Sequence, residues 1–381
     1  ATDSRAIGVL LPVTGKYSKF GNKAIQGLEL AFDIFGPKGG DSFTLVIEDS
    51  GDEPAQAVKA LERLVFQHHV VAVIGPMLSK GIEPIAQKAR DLGVPLLSLA
   101  RRETPPMDFV FQAGLTQQIQ AFEIARFAIE KMNLKKFAIL TPNDKMGQEI
   151  AQFFWDAVET LGGKVVGSES YNVGETDFRQ PVDKLSGLFY TNARQRELDQ
   201  KAKDRDELKI KKRTRRTEQY FALHPIVDYD AVFIPDEAKV AGQIIPTFAY
   251  RDVEKVRFLG TAAWNSPEFI NRTQSQAEDA AFVEAFYPDN MSPTAKKFID
   301  GYRKTFDQEP GSIEALSFDA GSLLKQILTE SPIMGRAELR NRLRETKGFS
   351  GVTGKLTFRD GQFFRNLRLI TVKNGRFIAT D

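Results

Sequence analysis

The chain has 381 residues, which is too long for one ordinary hydrophobic core and predicts about two or three domains. Its 42% hydrophobic and 27% charged residues are an ordinary globular composition, and no apolar run approaches the roughly 18 residues that span a bilayer. The absence of cysteine excludes disulfides and thiolate chemistry, and a net charge of +2 argues against nucleic acid as a partner.

Strand-like and helix-like segments alternate along the first part of the chain. Short β-branched runs at 7–12, 44–49, 70–75 and 95–100 are typical of buried parallel strands. Helix-forming segments lie between them at 22–35, 55–67 and 85–93. This alternation predicts an α/β fold with a doubly wound parallel sheet.

The same pattern starts again at residue 136. Strand-like segments at 136–142, 163–171, 230–235 and 256–261 indicate a second α/β domain. A strand-like run at 109–114 followed by the helical pattern 116–132 looks like a segment that crosses between the domains. Two helices are predicted at 293–306 and 313–328, and a β-like tail at 351–358 and 367–378.

One charged segment, residues 192–218, interrupts the α/β pattern. From Arg194 to Glu218 it carries eleven basic and six acidic residues, a net +5 on a chain with a total of +2, so the rest carries −3. A helix is plausible because opposite charges stand at i,i+4 in the favourable order in Glu197 with Lys201, Asp199 with Lys203, and Glu207 with Lys211. The segment is either a solvated insertion or a docking surface for an acidic partner or for membrane headgroups.

The stretch VIGPMLSKG, residues 73–81, ends a predicted strand and leads into a predicted helix. Pro84 is tolerated only in the first turn of a helix, so that helix is expected to begin close to Ser79. Ser79 is then either a helix cap or a ligand contact, because the free amides at a helix start can bind a capping hydroxyl or an anion. The residues themselves leave both interpretations open.

Signatures of enzymes and of cofactor sites are missing from the sequence. The three histidines form no HExxH motif and there is no thiol pair, so no metal site is predicted. The strand that precedes Gly15 does not lead into a P-loop, since Leu10 stands where the first glycine would be and Tyr17 where the magnesium-binding Ser or Thr would be. Neither GxSxG nor GxGxxG occurs. We therefore predict a protein that is not an enzyme and has no cofactor.

Six blocks occur in order: IGVLLPVTGKYSKFGNKAIQGLELA, EDSGDEPAQAVKALERL, VVAVIGPMLSKGIEPIAQKARDLGVPLLS, FAILTPNDKMGQEIAQFF, RFLGTAAWNSPEF and FSGVTGKLTF. Over nearly the whole chain outside 192–218, they resemble type I periplasmic solute-binding proteins of the leucine/isoleucine/valine-receptor kind. The resemblance implies two Rossmann-like lobes joined by three crossings, with a ligand between them. It assigns 1–115 and 285–332 to the N-terminal lobe, and 116–284 and 333–381, including the charged insertion, to the C-terminal lobe.

The resemblance also implies positions for ligand contacts. In amino-acid-binding relatives a serine after Gly-Pro and a threonine in the next turn hold the ligand carboxylate. Ser79 matches the serine, whereas the turn Ala100-Arg101-Arg102 has arginine where the threonine is expected. In the second lobe, Met146 stands where relatives often have an aromatic residue, and the acid that can hold a ligand ammonium is replaced by Ala262 and its neighbour.

Further candidate contacts are Tyr17, Asp236 and Trp264. For Tyr17, Met146 and Trp264 the alternative role is packing. For Asp236 the alternative role is that of a helix N-cap, and for the two arginines it is a position along the cleft edge that extends into solvent. Because a buried ammonium without a partner is costly, a simple branched-chain amino acid is not expected. We expect an anion or a carboxylate without a neighbouring ammonium to be preferred, and an amino-acid-like ligand stays within the prediction.

The sequence is interpreted as a periplasmic, non-enzymatic receptor that delivers a small-molecule ligand to an ABC transporter permease. A second resemblance gives an alternative. The Arg-rich insertion before DAVFIP looks like that of the activator lipoproteins of penicillin-binding proteins, which implies contact with a cell-wall synthase. A sequence that opens at Ala1 without Met is typical of a mature or trimmed chain, and it leaves a lipid anchor in the precursor open.

Overall fold

The computed structural model describes residues 2–36, 42–208, 214–288, 292–330 and 335–380. Up to residue 190 its elements are β1 (Asp3–Leu11), α1 (Ser18–Ala31), β2 (Thr44–Asp49), α2 (Pro54–Phe66), β3 (Val70–Ile74), α3 (Ile82–Leu92), β4 (Leu96–Ser98), β5 (Val110–Gln112), α4 (Gln117–Glu130), β6 (Lys136–Pro142), α5 (Lys145–Thr160), β7 (Lys164–Tyr171) and α6 (Arg179–Leu185). They are followed by α7 (Gln195–Glu207), α8 (Arg215–Phe221), β8 (Ala231–Phe233), α9 (Ala238–Tyr250), β9 (Arg257–Gly260), α10 (Pro267–Thr273), β10 (Ala281–Glu284), α11 (Pro293–Phe306), α12 (Ser312–Glu330), α13 (Arg336–Arg344), β11 (Phe349–Gly351), β12 (Gly354–Arg359), β13 (Gln362–Phe364), β14 (Arg368–Lys373) and β15 (Arg376–Ala379). The predicted α/β class is confirmed.

The described chain folds into two compact units. Unit 1 consists of the described residues of 1–123 and 284–368, and unit 2 of those of 124–283 and 369–380. The chain passes from one unit to the other three times, within α4, β10 and β14, which confirms two lobes with three crossings. The prediction that all of 333–381 belongs to the second lobe is wrong for 335–368, because β11, β12 and β13 join the sheet of unit 1.

Unit 1 is built on a sheet with the strand order β11-β12-β13-β5-β4-β3-β1-β2. Its strand β1 pairs in parallel with β2 on one side and β3 on the other. Ile7 and Val9 pack with residues of α1 and α12, whereas Ala6 and Leu10 pack with residues of α2 and α3. Since successive side chains of a strand point to opposite faces, this places helices on both sides of the sheet.

Unit 2 repeats the arrangement with the strand order β15-β14-β10-β9-β8-β6-β7. Strand β6 pairs in parallel with β7 and β8. Phe154 of α5 stacks on Phe233 of β8 with ring centroids 4.1 Å apart, and Phe137 of β6 meets Phe154 edge to face. All three rings are fully buried, so α5 is held on the sheet mainly by apolar area removed from water.

The charged insertion forms α7 and α8 in unit 2, and no residue of α7 is buried. It is attached at its base by Arg194, whose Nη1 donates to the carbonyl oxygens of Gly187 at 3.1 Å and His224 at 2.8 Å. The segment leads into the amino end of β8. The insertion therefore rejoins unit 2 at the edge of the sheet where β8 begins, opposite to the carboxyl edge where β8 ends.

The predicted helix is confirmed for α7, but the predicted ion pairs are not. Glu197 pairs with Arg194 through a 2.7 Å contact, and Lys201 donates to the carbonyl oxygen of Tyr220. Asp199 accepts a hydrogen bond from Gln195 at 2.9 Å rather than pairing with Lys203, and the third predicted pair cannot be placed because Lys211 lies outside the described residues. Helix α7 carries four basic and five acidic residues, so the basic excess of the segment comes from 209–216 in the sequence.

Candidate functional site

The site residues predicted in unit 1 follow three neighbouring strands of its sheet. Strands β4, β3 and β1 lie side by side, and their carboxyl ends lead to Ala100, Ser79 and Tyr17. Between β1 and β3 the chain changes direction across the sheet, because β2 lies on the other side of β1. In open α/β sheets, ligands bind outside the carboxyl ends of the strands at such a switch point.

Ser79 does not cap the helix that follows it. Helix α3 begins at Ile82, and its N-cap residue is Gly81, in a left-handed conformation with φ +72°. Among the described residues the Ser79 hydroxyl has no hydrogen-bond partner, and the side chain is half-buried. The capping interpretation is therefore wrong, whereas the ligand-contact interpretation stays a prediction.

The turn after β4 places its two arginines differently. Arg101 is exposed, and its backbone carbonyl accepts a hydrogen bond from Gln117 N at 2.9 Å. The side chain of Arg102 is 14% exposed and donates to Glu83 Oε1 at 3.0 Å. Ala100 before them is fully buried. Arg102 therefore already has an acidic partner, and Arg101 is the cation of this turn that reaches solvent.

Tyr17 occupies the N-cap position of α1 and is half-buried. The loop before it is held by Asp49 at the carboxyl end of β2, which accepts hydrogen bonds from Val13 N at 2.9 Å and from the Thr14 hydroxyl. Burial raises the pKa of Asp49, but these bonds and one from Gly51 N outweigh it, so the pKa is lower than usual. Asp49 is therefore an ionised anchor for this loop, and sequence reasoning missed it.

The site residues predicted in unit 2 lie at the corresponding edge of the second sheet. Strands β9, β8 and β6 are neighbours, and their carboxyl ends lead to Ala262, Asp236 and Met146. The strand order changes direction between β6 and β8, because β7 lies on the other side of β6. Met146 is half-buried in the first turn of α5. Apart from Trp264, the candidates of each unit thus lie at the carboxyl edge of its sheet, at or next to the switch point.

Asp236 does not cap a helix either, because α9 begins at Ala238 with Glu237 at the N-cap position. Its Oδ2 accepts a hydrogen bond from the Tyr171 hydroxyl at 2.7 Å, and its Oδ1 accepts one from Glu237 N at 2.7 Å. Burial raises the pKa of Asp236, and the negative charges of Glu237 and Asp144 raise it further against these two hydrogen bonds. Burial likewise raises the pKa of Tyr171, so the hydroxyl stays protonated and donates.

Sequence reasoning missed Tyr171 and Asp144. Tyr171 ends β7 and is 6% exposed, and Asp144 is the N-cap residue of α5, where it accepts a hydrogen bond from Gly147 N at 2.7 Å. Both residues stand at the carboxyl ends of strands that were themselves predicted. The pairing of Tyr171 with Asp236 could not be foreseen, because 65 residues separate them.

Trp264 packs in the core of unit 2. It is fully buried, and its indole stacks on Phe269 with ring centroids 4.5 Å apart and an interplanar angle of 22°. A Cβ atom at Gly260 would lie 2.2 Å from the indole, so the strand end can approach the ring only with glycine. Of the two roles that the sequence left open for Trp264, the structure shows packing.

The described residues contain no group of three or more His, Asp or Glu side chains that could hold a metal ion. None of the helices in the described part of the chain is long and apolar enough to cross a membrane.

The sequence model of one family, described as periplasmic binding protein, matches residues 5–188 and 228–376. The chain belongs to this family. The match leaves out 189–227, so the charged insertion is not part of what the family shares. The resemblance carried by the six sequence blocks is confirmed.

Curated relatives in the family match about half of the chain. An amino acid binding protein of Pseudomonas aeruginosa is 28% identical over 190 residues, 47% of this chain and 50% of the relative. A Leu/Ile/Val-binding protein homolog of Brucella melitensis is 27% identical over 188 residues, again 47% and 50%. The chain thus spans about half the length of the curated relatives that it matches.

Solved structures of periplasmic binding proteins match over nearly the full length. A branched-chain amino acid transporter substrate binding protein of Streptococcus pneumoniae, in complex with isoleucine, is 25% identical with a TM-score of 0.69 and covers 99% of both chains. A solute binding protein of an ABC transporter from Rhodopseudomonas palustris, in complex with benzoate, is 18% identical with a TM-score of 0.67 and covers 99% and 95%. The second likeness concerns the fold alone.

Proposed function

We propose that the protein is a periplasmic receptor that captures a small molecule for an ABC transporter. The observation that carries this proposal is the pair of switch points, one in each unit, at which the candidate residues gather without a catalytic set. Membership of the periplasmic binding protein family supports it, and so do relatives whose names state amino acid or Leu/Ile/Val binding. The partners are then the ligand and a transporter permease.

The ligand is proposed to carry a carboxylate. Ser79 has no hydrogen-bond partner among the described residues and stands at the switch point of unit 1, and the backbone of Ala100 and the exposed Arg101 follow the neighbouring strand. Hydroxyl groups, backbone amides and guanidinium groups are the donors that bind carboxylates. A simple branched-chain amino acid is not the proposed ligand, because Ala262 replaces the acid expected for its ammonium.

A ligand screen tests the proposal. Isothermal titration of the purified protein with aliphatic and aromatic carboxylates and with amino acids should find at least one compound that binds with about one molecule per chain. Binding by none of these compounds, or binding of leucine, isoleucine and valine with no carboxylate or other amino acid, would contradict the proposed ligand class.

A second candidate is the activator role toward a penicillin-binding protein. The observation that favours it is the charged insertion, which lies outside the part of the chain that matches the family. In this function the insertion would contact a cell-wall synthase and the ligand edges would be unused. Titration of a purified synthase domain at low and high salt tests it, since an electrostatic contact weakens as salt rises.

A further inference from the structure

Three arginines line one face of α13 at the amino edge of unit 1, the edge of its sheet where the parallel strands begin. Arg336, Arg340 and Arg344 stand at i, i+4 and i+8, so they share one face of the helix with about 6 Å between successive positions. Arg336 donates through Nη2 and Nε to the carbonyl oxygen of Val70, the first residue of β3, at 2.7 and 3.0 Å. Arg340 Nη1 donates to Oδ2 of Asp108, just before β5, at 2.8 Å. The row of arginines therefore runs along this edge from β3 to β5.

This row carries more positive than negative charge. Among the described residues, the acidic partner of the row is Asp108 alone, which Arg340 contacts at 2.8 Å and Arg344 at 3.6 Å. Arg336 forms no ion pair within the same part of the chain, although it is half-buried and burial lowers its pKa. A guanidinium nevertheless stays protonated in proteins. Three positive charges thus face one carboxylate, and the half-buried cation is stabilised by any anion that comes into contact with it.

The arginines are held in an arrangement that an anion can contact. The guanidinium carbon of Arg340 lies 4.8 Å from the ring centroid of Phe109, the residue that precedes β5. Side chains fixed in this way lose little conformational freedom on binding. They also stay open to solvent, since 23% of the Arg340 side chain and 50% of the Arg344 side chain are exposed.

An exposed aromatic residue lies at the same edge. Phe66 is the last residue of α2 and is 63% exposed. It shortly precedes Val70, whose carbonyl oxygen Arg336 contacts, so it belongs to the edge where β3 begins. Aromatic rings enter the headgroup region of a bilayer, and arginine side chains bind the phosphates of anionic lipids. Arginines alone would suit any polyanion, whereas an exposed ring at the same edge favours a lipid surface.

We propose that Phe66, Arg336, Arg340 and Arg344 form a membrane-docking surface that binds a bilayer containing anionic phospholipids. The proposal goes beyond the function proposed above, because the capture of a ligand does not require contact with lipid. The surface lies where β3 begins, whereas Ser79 follows the end of that strand. Docking of unit 1 through its amino edge therefore leaves the ligand edge of its sheet uncovered.

Vesicle co-sedimentation of the full chain tests the docking surface. The wild type should bind phosphatidylcholine vesicles that contain phosphatidylglycerol about thirty times more tightly than vesicles of phosphatidylcholine alone, and added salt should weaken this binding. The double variant with Arg336→Gln and Arg340→Gln should bind the anionic vesicles about ten- to thirty-fold more weakly than the wild type. Phe66→Ser should weaken the binding about three- to ten-fold, because the ring no longer enters the headgroup region.

The matched control is Arg342→Gln. Arg342 belongs to the same helix but lies outside the row, and it pairs with Glu338. Its loss should change vesicle binding less than about two-fold, because a charge on the opposite face of the helix is screened by salt. Every variant keeps the charged insertion of unit 2, so the differences between variants do not arise from it. If the double variant does not fold, the half-exposed Arg344 decides, since Arg344→Gln should weaken binding about five-fold.

The proposal is overturned if the wild type binds the two kinds of vesicle equally, or if Arg342→Gln loses as much binding as the double variant. Anionic-vesicle binding that Phe66→Ser leaves unchanged would also contradict it, because the ring would then not contact lipid. Soluble poly-glutamate is the competing probe. If it binds the wild type and the vesicles do not, the partner is an acidic protein segment and the membrane proposal is wrong. The receptor function is tested separately by ligand titration and stands or falls independently of these results.

Discussion

Among the described residues, one aspartate in each unit has a pKa that burial raises above its usual value, and the two are held very differently. In unit 1, Asp319 of α12 is fully buried and accepts hydrogen bonds from Val352 N at 2.7 Å, Thr353 N at 2.8 Å and the Thr353 hydroxyl. The positive charge of Arg365 acts on it as well. In unit 2, Asp236 has one hydroxyl donor and one backbone amide, and the charges of Glu237 and Asp144 that act on it are negative. Burial raises the pKa of both carboxyl groups, so burial alone does not distinguish them.

The number of donors and the sign of the neighbouring charge do distinguish them. Asp319 and Arg365 are linked through Thr353, whose hydroxyl donates to Asp319 and accepts from Arg365 Nη1 at 2.8 Å. Arg365 Nη2 donates in addition to the carbonyl oxygen of Ala113 at 2.7 Å. Such a network ties the turn between β11 and β12 to α12 and to the segment after β5. A carboxylate that is fully buried with three donors serves stability, whereas a half-buried carboxylate with two donors and negative neighbours can accept a further hydrogen bond.

The largest effect is expected from Asp319→Ala. The substitution leaves two buried amides and a hydroxyl without their acceptor and removes the negative charge that acts on the buried Arg365. Leaving a buried charge uncompensated in this way costs about 3–5 kcal/mol. Chemical denaturation should show this loss, while the exposed acid of the same helix, in Glu330→Ala, should cost less than about 0.5 kcal/mol. If the two variants were equally stable, Asp319 would not stabilise the fold, and the contrast drawn here between Asp319 and Asp236 would be wrong.

A smaller effect is expected at the ligand edge of unit 1. Ser79 has a free hydroxyl and caps no helix, so Ser79→Ala should leave the free energy of unfolding within about 0.5 kcal/mol of the wild type. Loss of a ligand hydrogen bond should weaken carboxylate binding about five- to tenfold, which calorimetric titration measures. The matched control is Lys80→Ala, which removes the neighbouring side chain and its exposed ion pair with Glu53. This variant should bind the carboxylate as tightly as the wild type does. A loss of about 1 kcal/mol of stability without weaker binding would restore the capping role.

The placement of several candidate residues at the carboxyl edges of the two sheets could be predicted from the sequence. Buried parallel strands are continuous apolar runs, and the end of each run marks the carboxyl edge. Ser79, Met146 and Asp236 all follow such strand ends in the sequence. The partners of Asp236 could not be predicted, since Tyr171 reaches it only through the pairing of β7, β6 and β8. The tail was misassigned for a similar reason: the pattern of β12 predicts a strand, but only the fold decides which sheet it joins.

A third prediction compares the pH dependence of stability in the wild type and in Asp236→Asn. Its pKa is raised in the folded protein above the usual 3.8, so folding favours the protonated form. This stabilising contribution is present below the unfolded pKa and is lost as the pH rises through the folded pKa. Asp236→Asn should therefore be more stable than the wild type at pH 7 by about 1 kcal/mol or less, with the difference shrinking toward pH 4. Melting curves between pH 4.5 and 8 check this, and a difference that grows on acidification would contradict it.

The smallest effect is expected from the charged insertion. Deleting Gln195–Phe221 and joining Arg194 to Ala222 with a short Gly-Ser linker keeps the Arg194 hydrogen bonds to the two ends of the segment. No residue of α7 is buried, and shortening a surface excursion changes loop entropy by only a fraction of a kcal/mol. The free energy of unfolding should therefore change by less than about 1 kcal/mol.

The same deletion tests whether ligand binding at the carboxyl edge of unit 2 depends on the insertion. The insertion rejoins the domain at the amino end of β8, whereas Asp236 lies beyond the carboxyl end of that strand. Affinity for a carboxylate ligand should thus be unchanged in calorimetric titration. Binding of a cell-wall synthase, if it occurs, should be lost, because the deletion takes away the basic run at 209–216. A folded deletion variant that no longer binds small ligands would contradict this expectation and show that ligand binding depends on the insertion.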